Sequence, residues 1–275
     1  MDTELTLATQ PVEDPAPDSV LFIGNATLLL RYGGFTILTD PTFVHRHTRV
    51  DLGHGLSSKR LTDPAVEVED LPPLDLILLS HFNGDHFDQV AQERLDRSLP
   101  VITTSQARDA LHALGFTQAR GLETWETLTV TKGTRSLRVT ACPARHGPGV
   151  TDLVLPDVMG SILEADDRAP LRTVYISGDT LMYDELEEIP RRHPEVDLGF
   201  FHLGGTKVLG IMVTMDAEQG VEAVRLIDPE VAIPIHYDDY DVFTSPLSDF
   251  TAAVDAAGLT DRIRLLERGD TYQLG

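Results

Sequence analysis

Apolar residues in this chain fall in short runs, most of them too short for helices. Val20–Ile23, Ala26–Tyr32 and Phe35–Leu38 read as strands, and Gly33-Gly34 between the last two is a two-residue hairpin signal. From Asp40 to Pro73 no period is sustained, and a loop of that length in a compact domain is usually functional. Asp75–Leu79 is a continuous apolar run, the pattern of a strand covered on both faces. The spacing then predicts a helix over about Asp88–Arg97, a strand at Val101–Thr103, and a helix over Ser105–Leu114 stopped by Gly115. Leu128–Thr131 and Leu137–Cys142 are spaced as a second hairpin. Further on, Met159–Glu164, Thr173–Ser177, Val196–Phe201, Val231–Ile235 and Ile263–Leu266 read as strands, with helices near Tyr183–Arg192, Ala217–Ile227 and Pro246–Ala257. There is no short repeat and no linker. Each half runs from strands into strand–helix alternation, which suits two sheets packed face to face with helices outside; pattern alone says only α+β or α/β.

Composition narrows the classes. The chain has 275 residues, and a hydrophobic fraction of 41% is enough for a sizeable core. It carries 44 acidic against 22 basic side chains, a formal charge of -22. That balance counts against a nucleic-acid or anionic-membrane partner, because phosphate affinity needs Lys and Arg to displace counterions. One cysteine excludes a disulfide framework and a Cys-rich zinc module, and a reducing compartment is the simplest setting. The stretch Met1–Ser19 lacks a basic start and a long apolar core, so it does not read as a signal peptide, and no apolar stretch approaches a membrane span. Residues 1–19, Pro- and Asp-rich from Gln10 to Asp18, are expected to be a mobile leader to a single domain over 20–275, in a cytoplasmic protein.

The densest chemistry lies in Ser80-His81-Phe82-Asn83-Gly84-Asp85-His86-Phe87-Asp88, directly after the buried strand. Strand ends opening into loops are where such folds place ligands. Two histidines, an aspartate and an asparagine so close together favour a metal over a plain helix-capping turn, since imidazole and carboxylate are the ligands of zinc and harder divalent ions. Three other strand exits repeat the arrangement: Arg145-His146-Gly147, Ser177-Gly178-Asp179-Thr180, and Ile235-His236-Tyr237. Each alone is as plausible as a turn histidine, a helix cap or a surface residue. Four together point to one edge of a sheet.

In this order, His81-x-Asn83-x-Asp85-His86, His146, Asp179 and His236 resemble the metallo-β-lactamase superfamily, with its HxHxDH loop followed by His, Asp and His. The flanks Gly24-Asn25-Ala26-Thr27, Ile37-Leu38-Thr39-Asp40-Pro41 and Ile233-Pro234-Ile235-His236-Tyr237 resemble the branch of L-ascorbate-6-phosphate lactonase and N-acyl-phosphatidylethanolamine phospholipase D. The resemblance implies a four-layer αββα sandwich of the α+β class, holding one or two divalent metal ions, zinc or manganese first and iron as a further candidate. It places His81, position 83 and His146 at a first metal, Asp85, His86 and His236 at a second, and Asp179 between them. It implies a hydrolase in which a metal-activated water attacks a small ester, lactone or phosphodiester, with Asp85 orienting that water or shuttling its proton. Asp40 and Ser80 are candidates to fix the imidazoles.

Asn83 departs from the pattern. A neutral amide oxygen is a poorer zinc ligand than imidazole, so affinity at the first site should fall. One metal at the second site, a harder metal, or an engineered change from a histidine parent would each account for it. A nuclease of the same fold and a catalytically weakened metal- or ligand-binding relative stand as alternatives. His202 and Tyr237 are candidate pocket residues, although a core or turn histidine is an equal reading of His202. Lys207 could meet an anionic small-molecule substrate, though a solvated loop lysine is commoner. His45, His47 and His54 read as surface residues, and Cys142 as a small buried hydrophobe.

Overall fold

A computed structural model of the chain describes residues 3–8, 17–53, 55–149, 155–166, 173–208 and 210–274. After β1 (Thr3–Leu7) come three strands joined by tight turns, β2 (Ser19–Gly24), β3 (Thr27–Tyr32) and β4 (Phe35–Thr39). The long connection that follows holds only a small hairpin, β5 (Arg49–Asp51) and β6 (Ser57–Lys59). Then β7 (Leu76–Leu78), β8 (Val101–Thr104) and β9 (Ala119–Leu122) alternate with α1 (Gln89–Arg94) and α2 (Ser105–Ala113). The second run has β10 (Thr127–Lys132), β11 (Arg135–Cys142), β12 (Gly160–Ala165) and β13 (Thr173–Ile176), then α3 (Glu188–Arg192) and β14 (Leu198–His202). A short hairpin, β15 (Lys207–Val208) and β16 (Ile211–Met212), precedes α4 (Ala217–Ile227), β17 (Val231–Ile235), α5 (Leu247–Ala257) and β18 (Thr271–Gln273).

Two seven-stranded sheets result, ordered β18-β2-β3-β4-β7-β8-β9 and β1-β10-β11-β12-β13-β14-β17. Alternation along the strands explains the layers. In β3, Leu28, Leu30 and Tyr32 join the core between the sheets while Leu29 faces the α1–α2 side. In β14, Leu198 and Phe200 face the other sheet, and Phe201 packs with residues of α3, α4 and α5. The expected αββα sandwich is the observed fold. The expected hairpins also form: Tyr32 pairs Phe35 across Gly33 (φ 60) and Gly34 (φ 86), a turn whose positive φ at both positions suits glycine. Lys132 pairs Arg135 at the other.

The chain ends depart from expectation. Thr3–Leu7 is not mobile leader but an edge strand parallel to β10, with Leu5 and Leu7 against the inter-sheet core, and Ser19 already belongs to β2. Of the Pro- and Asp-rich piece, residues 10–16 lie outside the described residues, as does His54. Ile263–Leu266 is not the last strand: it contributes one bridge, Ile263 to Ala232, and leaves Leu265 half exposed. The polar segment Thr271–Gln273 takes that place and pairs with β2. Each terminus thus joins the sheet built by the opposite half.

Leu30 is fully buried between the sheets. Leu30→Ala is expected to destabilise the fold by about 2–5 kcal/mol, read as a lower denaturation midpoint at an unchanged slope in urea.

Candidate metal centre

The side chains that converge leave strands at one edge of the sandwich. His81 follows β7, His146 follows β11, Asp179 follows β13 and His236 follows β17 directly. All four are buried, as are Asp85 and His86. The loop after β7 turns tightly: the Asn83 carbonyl accepts from the N–H groups of His86 (2.9 Å) and Phe87 (2.7 Å). Gly84 passes so near the Asp51 backbone that a β-carbon there would lie 2.3 Å from its carbonyl oxygen, so this position requires glycine. Asp88 closes the loop as the helix cap, accepting from Ala91 N–H at 2.9 Å.

Hydrogen bonds set the tautomer of each imidazole. A carbonyl only accepts, so His146 Nδ1–H donates to Val213 (3.0 Å) and His236 Nδ1–H to Leu203 (3.1 Å). His86 Nδ1 meets the Asp40 carboxylate at 3.1 Å. His81 Nδ1 meets Ser80 Oγ at 3.0 Å, and that hydroxyl donates to Asp40 at 2.9 Å. In all four rings Nδ1 is engaged, which leaves Nε2 as the nitrogen available to the centre, the arrangement that ligating histidines require. Asp40 and Ser80 therefore hold imidazoles, as expected of them.

The spacing suits a divalent ion. His86 Nε2 lies 3.1 Å from His236 Nε2, 3.4 Å from Asp179 Oδ2 and 4.0 Å from Asp85 Oδ2, and His236 Nε2 lies 3.7 Å from Asp85 Oδ2. A tetrahedron with bonds of about 2.0–2.2 Å has edges of roughly 3.3–3.6 Å. Around a second point, ligand atoms of His81, His146 and Asp179 lie within 4.8 Å of one another. Three buried atoms, His81 Nε2, Asp85 Oδ1 and Asp179 Oδ1, have no hydrogen-bond partner. Buried lone pairs of this kind are costly unless a cation or a donor meets them. The residues present fit a metal.

Electrostatics divide the imidazoles. Burial pushes His81 and His146 below the usual histidine range, so both are neutral and ready to ligate at pH 7. Burial would lower His86 and His236 as well, but Asp179 and Asp85 raise both above it. Burial opposes ionisation of Asp179, and the charges of His236 and His86 outweigh it, holding the carboxyl well below the carboxylate range.

The remaining candidates fall elsewhere. Asn83 is half-buried, and its Oδ1 accepts from Gly84 N–H at 3.0 Å. His202 is not on an open pocket wall: it is fully buried, with Nε2 3.4 Å from Asp40 and Nδ1 3.2 Å from Ser177 Oγ. Tyr237 packs with residues of the α4–α5 side, and Lys207 is exposed on the β15–β16 hairpin. His45 and His47 are exposed. Asn25, in sequence only part of a flanking segment, also touches the candidate site. Its Nδ2 donates to the Asp85 carbonyl at 2.6 Å and its carbonyl accepts His236 N–H at 2.9 Å. The signal was an asparagine in a tight turn after a strand, a type that tolerates φ of 55°.

A family model described as a beta-lactamase superfamily domain matches residues 36–237. The chain belongs to the metallo-β-lactamase superfamily. Among its relatives, a UPF0173 metal-dependent hydrolase of Pelotomaculum thermopropionicum is 27% identical over 261 residues, covering 93% of this chain and 99% of the relative. Another, of Archaeoglobus fulgidus, is 29% identical over 265 residues, covering 92% and 98%. The crystal structure of isothiocyanate hydrolase from Delia radicum gut bacteria shares the superfamily fold with a TM-score of 0.79 at 20% identity, covering 92% of this chain and 98% of that one.

Because His86 and His236 are raised, metal must displace protons from them, and binding should tighten as pH rises toward and through their folded values. Calorimetry of the demetallated protein in buffers of different ionisation enthalpy is expected to show proton release per bound ion. Affinity unchanged from pH 6 to 8 would contradict these assignments. The lowered carboxyls act oppositely. Asp40, Asp85 and Asp179 add stability that is present above their ordinary range and is lost as pH falls toward their folded values. His81 and His146, lowered by burial, take up protons only on unfolding once pH falls below about 6.5, so urea midpoints of the demetallated protein should already fall from pH 6 to 5 and drop further below about 4.

Proposed function

We propose that this chain is a metal-dependent hydrolase acting on a small ester, lactone or phosphodiester. The observation that carries the reading is the convergence of four imidazole Nε2 atoms with two buried carboxylates whose Oδ1 atoms are unpaired. The relatives named as metal-dependent hydrolases over nearly their full length support it. In this reading Asp85, His86 and His236 form one ligand set, His81 and His146 the other, and Asp179 serves both. His and Asp donors suit zinc and manganese, and iron as well. A bound divalent cation would supply Lewis acidity and a water made acidic enough to deprotonate near neutral pH. Asp85, whose Oδ1 is buried without a hydrogen-bond partner, would orient the attacking water or shuttle its proton. His81 and His146, neutral, keep the other side of the centre free of competing protons.

Asn83 sets the metal count in this reading. With its amide oxygen spent on Gly84, the first set keeps His81, His146 and Asp179, while the second keeps every ligand the superfamily pattern assigns it. One tightly held ion in the second set follows. The flanking segments Gly24–Thr27 and Ile233–Tyr237 favour the lactonase-like branch, and the single, buried Cys142 accords with a cytoplasmic setting. No described helix is long and apolar enough to cross a membrane. The acidic charge counts against a nuclease, and Lys207 stands as a contact for an anionic substrate.

Elemental analysis of the purified chain beside Asn83→His tests this. Metal per chain is expected to rise from one to two, with a gain of at least tenfold in hydrolysis on a panel of lactone, ester, phosphodiester and isothiocyanate. If the variant gains neither metal nor turnover on any of these, the hydrolase reading fails.

A further inference from the structure

Outside the ligand set runs a chain of buried polar contacts that leads back to it. Arg60, from the long loop, is fully buried. Its Nη2 lies 3.0 Å from Asp239 Oδ1, its Nη1 donates to Thr42 Oγ1 (3.0 Å) and Tyr240 Oη (3.2 Å), and its Nε donates to the Thr62 carbonyl (3.3 Å). Asp239 Oδ2 accepts the Asn25 backbone N–H at 2.6 Å. Asn25 then reaches both ligand loops, through Nδ2 to the Asp85 carbonyl and through its own carbonyl to His236 N–H. His236 sits at φ 62, a left-handed conformation uncommon for residues other than glycine. The ion pair passes close over Gly24, where a β-carbon would lie 3.1 Å from Arg60 Nη2 and 3.2 Å from Asp239 Oδ1.

Stability is a poor explanation for this arrangement. A buried ion pair is about neutral, or worse, against well-packed apolar side chains. What the pair does supply is a directed acceptor. Asp239 follows His236 by three residues; Arg60 holds its Oδ1 by charge at 3.0 Å without a directed hydrogen bond, Thr62 Oγ–H donates to the same oxygen, and Oδ2 meets Asn25. That bond fixes a side chain that meets the Asp85 carbonyl and a carbonyl that accepts His236 N–H.

We propose that Arg60, Asp239 and Asn25 form a buried positioning strut that presets Asp85 and His236 for a divalent cation. The proposal rests on the assignment of those two residues as ligands. Its mechanism is geometric. An acceptor must remain at position 239 for the Asn25 N–H, whereas the charge on the pair serves only to keep that acceptor in place.

The test compares two double variants of the full chain, demetallated and titrated with zinc or manganese alone against a competing chelator. Both remove the charges together. Arg60→Met with Asp239→Asn keeps an acceptor for Asn25; Arg60→Met with Asp239→Leu does not. Both are expected to bind more weakly than wild type, the second about 10–100-fold, the usual effect of losing a group that orients a ligand, and the first at least about threefold more tightly than the second because its acceptor survives. Circular dichroism and the unfolding midpoint without metal show that each is folded. Asn25→Gly, which tolerates φ 55 and deletes only the contact to Asp85, should weaken binding about tenfold and decides alone if the Asp239→Leu protein does not fold. Equal affinities in the two double variants, or wild-type affinity in Asn25→Gly, overturn the strut while leaving the ligand assignment standing. A wild-type chain that takes up neither ion removes both.

Discussion

Three carboxylates, of Asp40, Asp85 and Asp179, are withdrawn from water at one edge of the sandwich, each at most 4% exposed. Taking one such ion out of water costs several kcal/mol even after the protein relaxes. Everything nearby answers that cost in part. Asp40 collects Ser80 N–H and Oγ–H, His86 Nδ1 and His202 Nε2. Asp179 takes Thr214 Oγ–H and lies beside His86 and His236. The answer is incomplete at the Oδ1 atoms of Asp85 and Asp179 and at His81 Nε2. Buried carboxylate oxygens left unmet beside imidazoles suit a cation, which is what makes this edge a candidate metal site.

Holding such a group demands a stiff frame. The candidate ligands leave the ends of β7, β11, β13 and β17, strands whose alternate side chains are locked into the core between the sheets. The centre is therefore positioned by two sheets at once. The long connection between β4 and β7 contributes as well. Its hairpin carries Asp51 against Gly84 and Ser58 and Lys59 against Asp241, and Asp88 ties its start down by accepting from Phe43 and Val44. A segment without periodicity is thus ordered by backbone contacts to both ligand loops, and Arg60 enters the interior from it.

Much of the architecture was readable because it rests on local rules. Gly33-Gly34 names its own turn, the apolar run ending at Leu79 its own burial, and Ala217–Ile227 its own helix, which begins on an Asp216 cap. What escaped was held by partners distant in sequence. Thr271–Gln273 has one apolar residue in three, and it is a strand because the edge of β2 presents free backbone groups to it. Thr3–Leu7 is a strand for the same reason beside β10. Conversely, Ile263–Leu266 has a strand's composition but meets an edge only at Ala232, so it forms one bridge.

The sequence by itself determined the mix of strands and helices, the loop that bears His81, Asp85 and His86, and the donor types, because hydrophobic period and residue order encode them directly; the sandwich followed from the resemblance that the order of those motifs carries. Only the tertiary structure decided how those donors behave. That His81 and His146 are neutral while His86 and His236 are drawn toward protonation depends on which rings lie near Asp85 and Asp179, a matter of angstroms between strands far apart in the chain. The same holds for His202, which turned from a pocket candidate into the companion of Asp40, and for Asn25, whose importance lies wholly in the two loops it touches. Local sequence specifies which groups are available; electrostatics and hydrogen-bond direction, set by packing, specify what each one does.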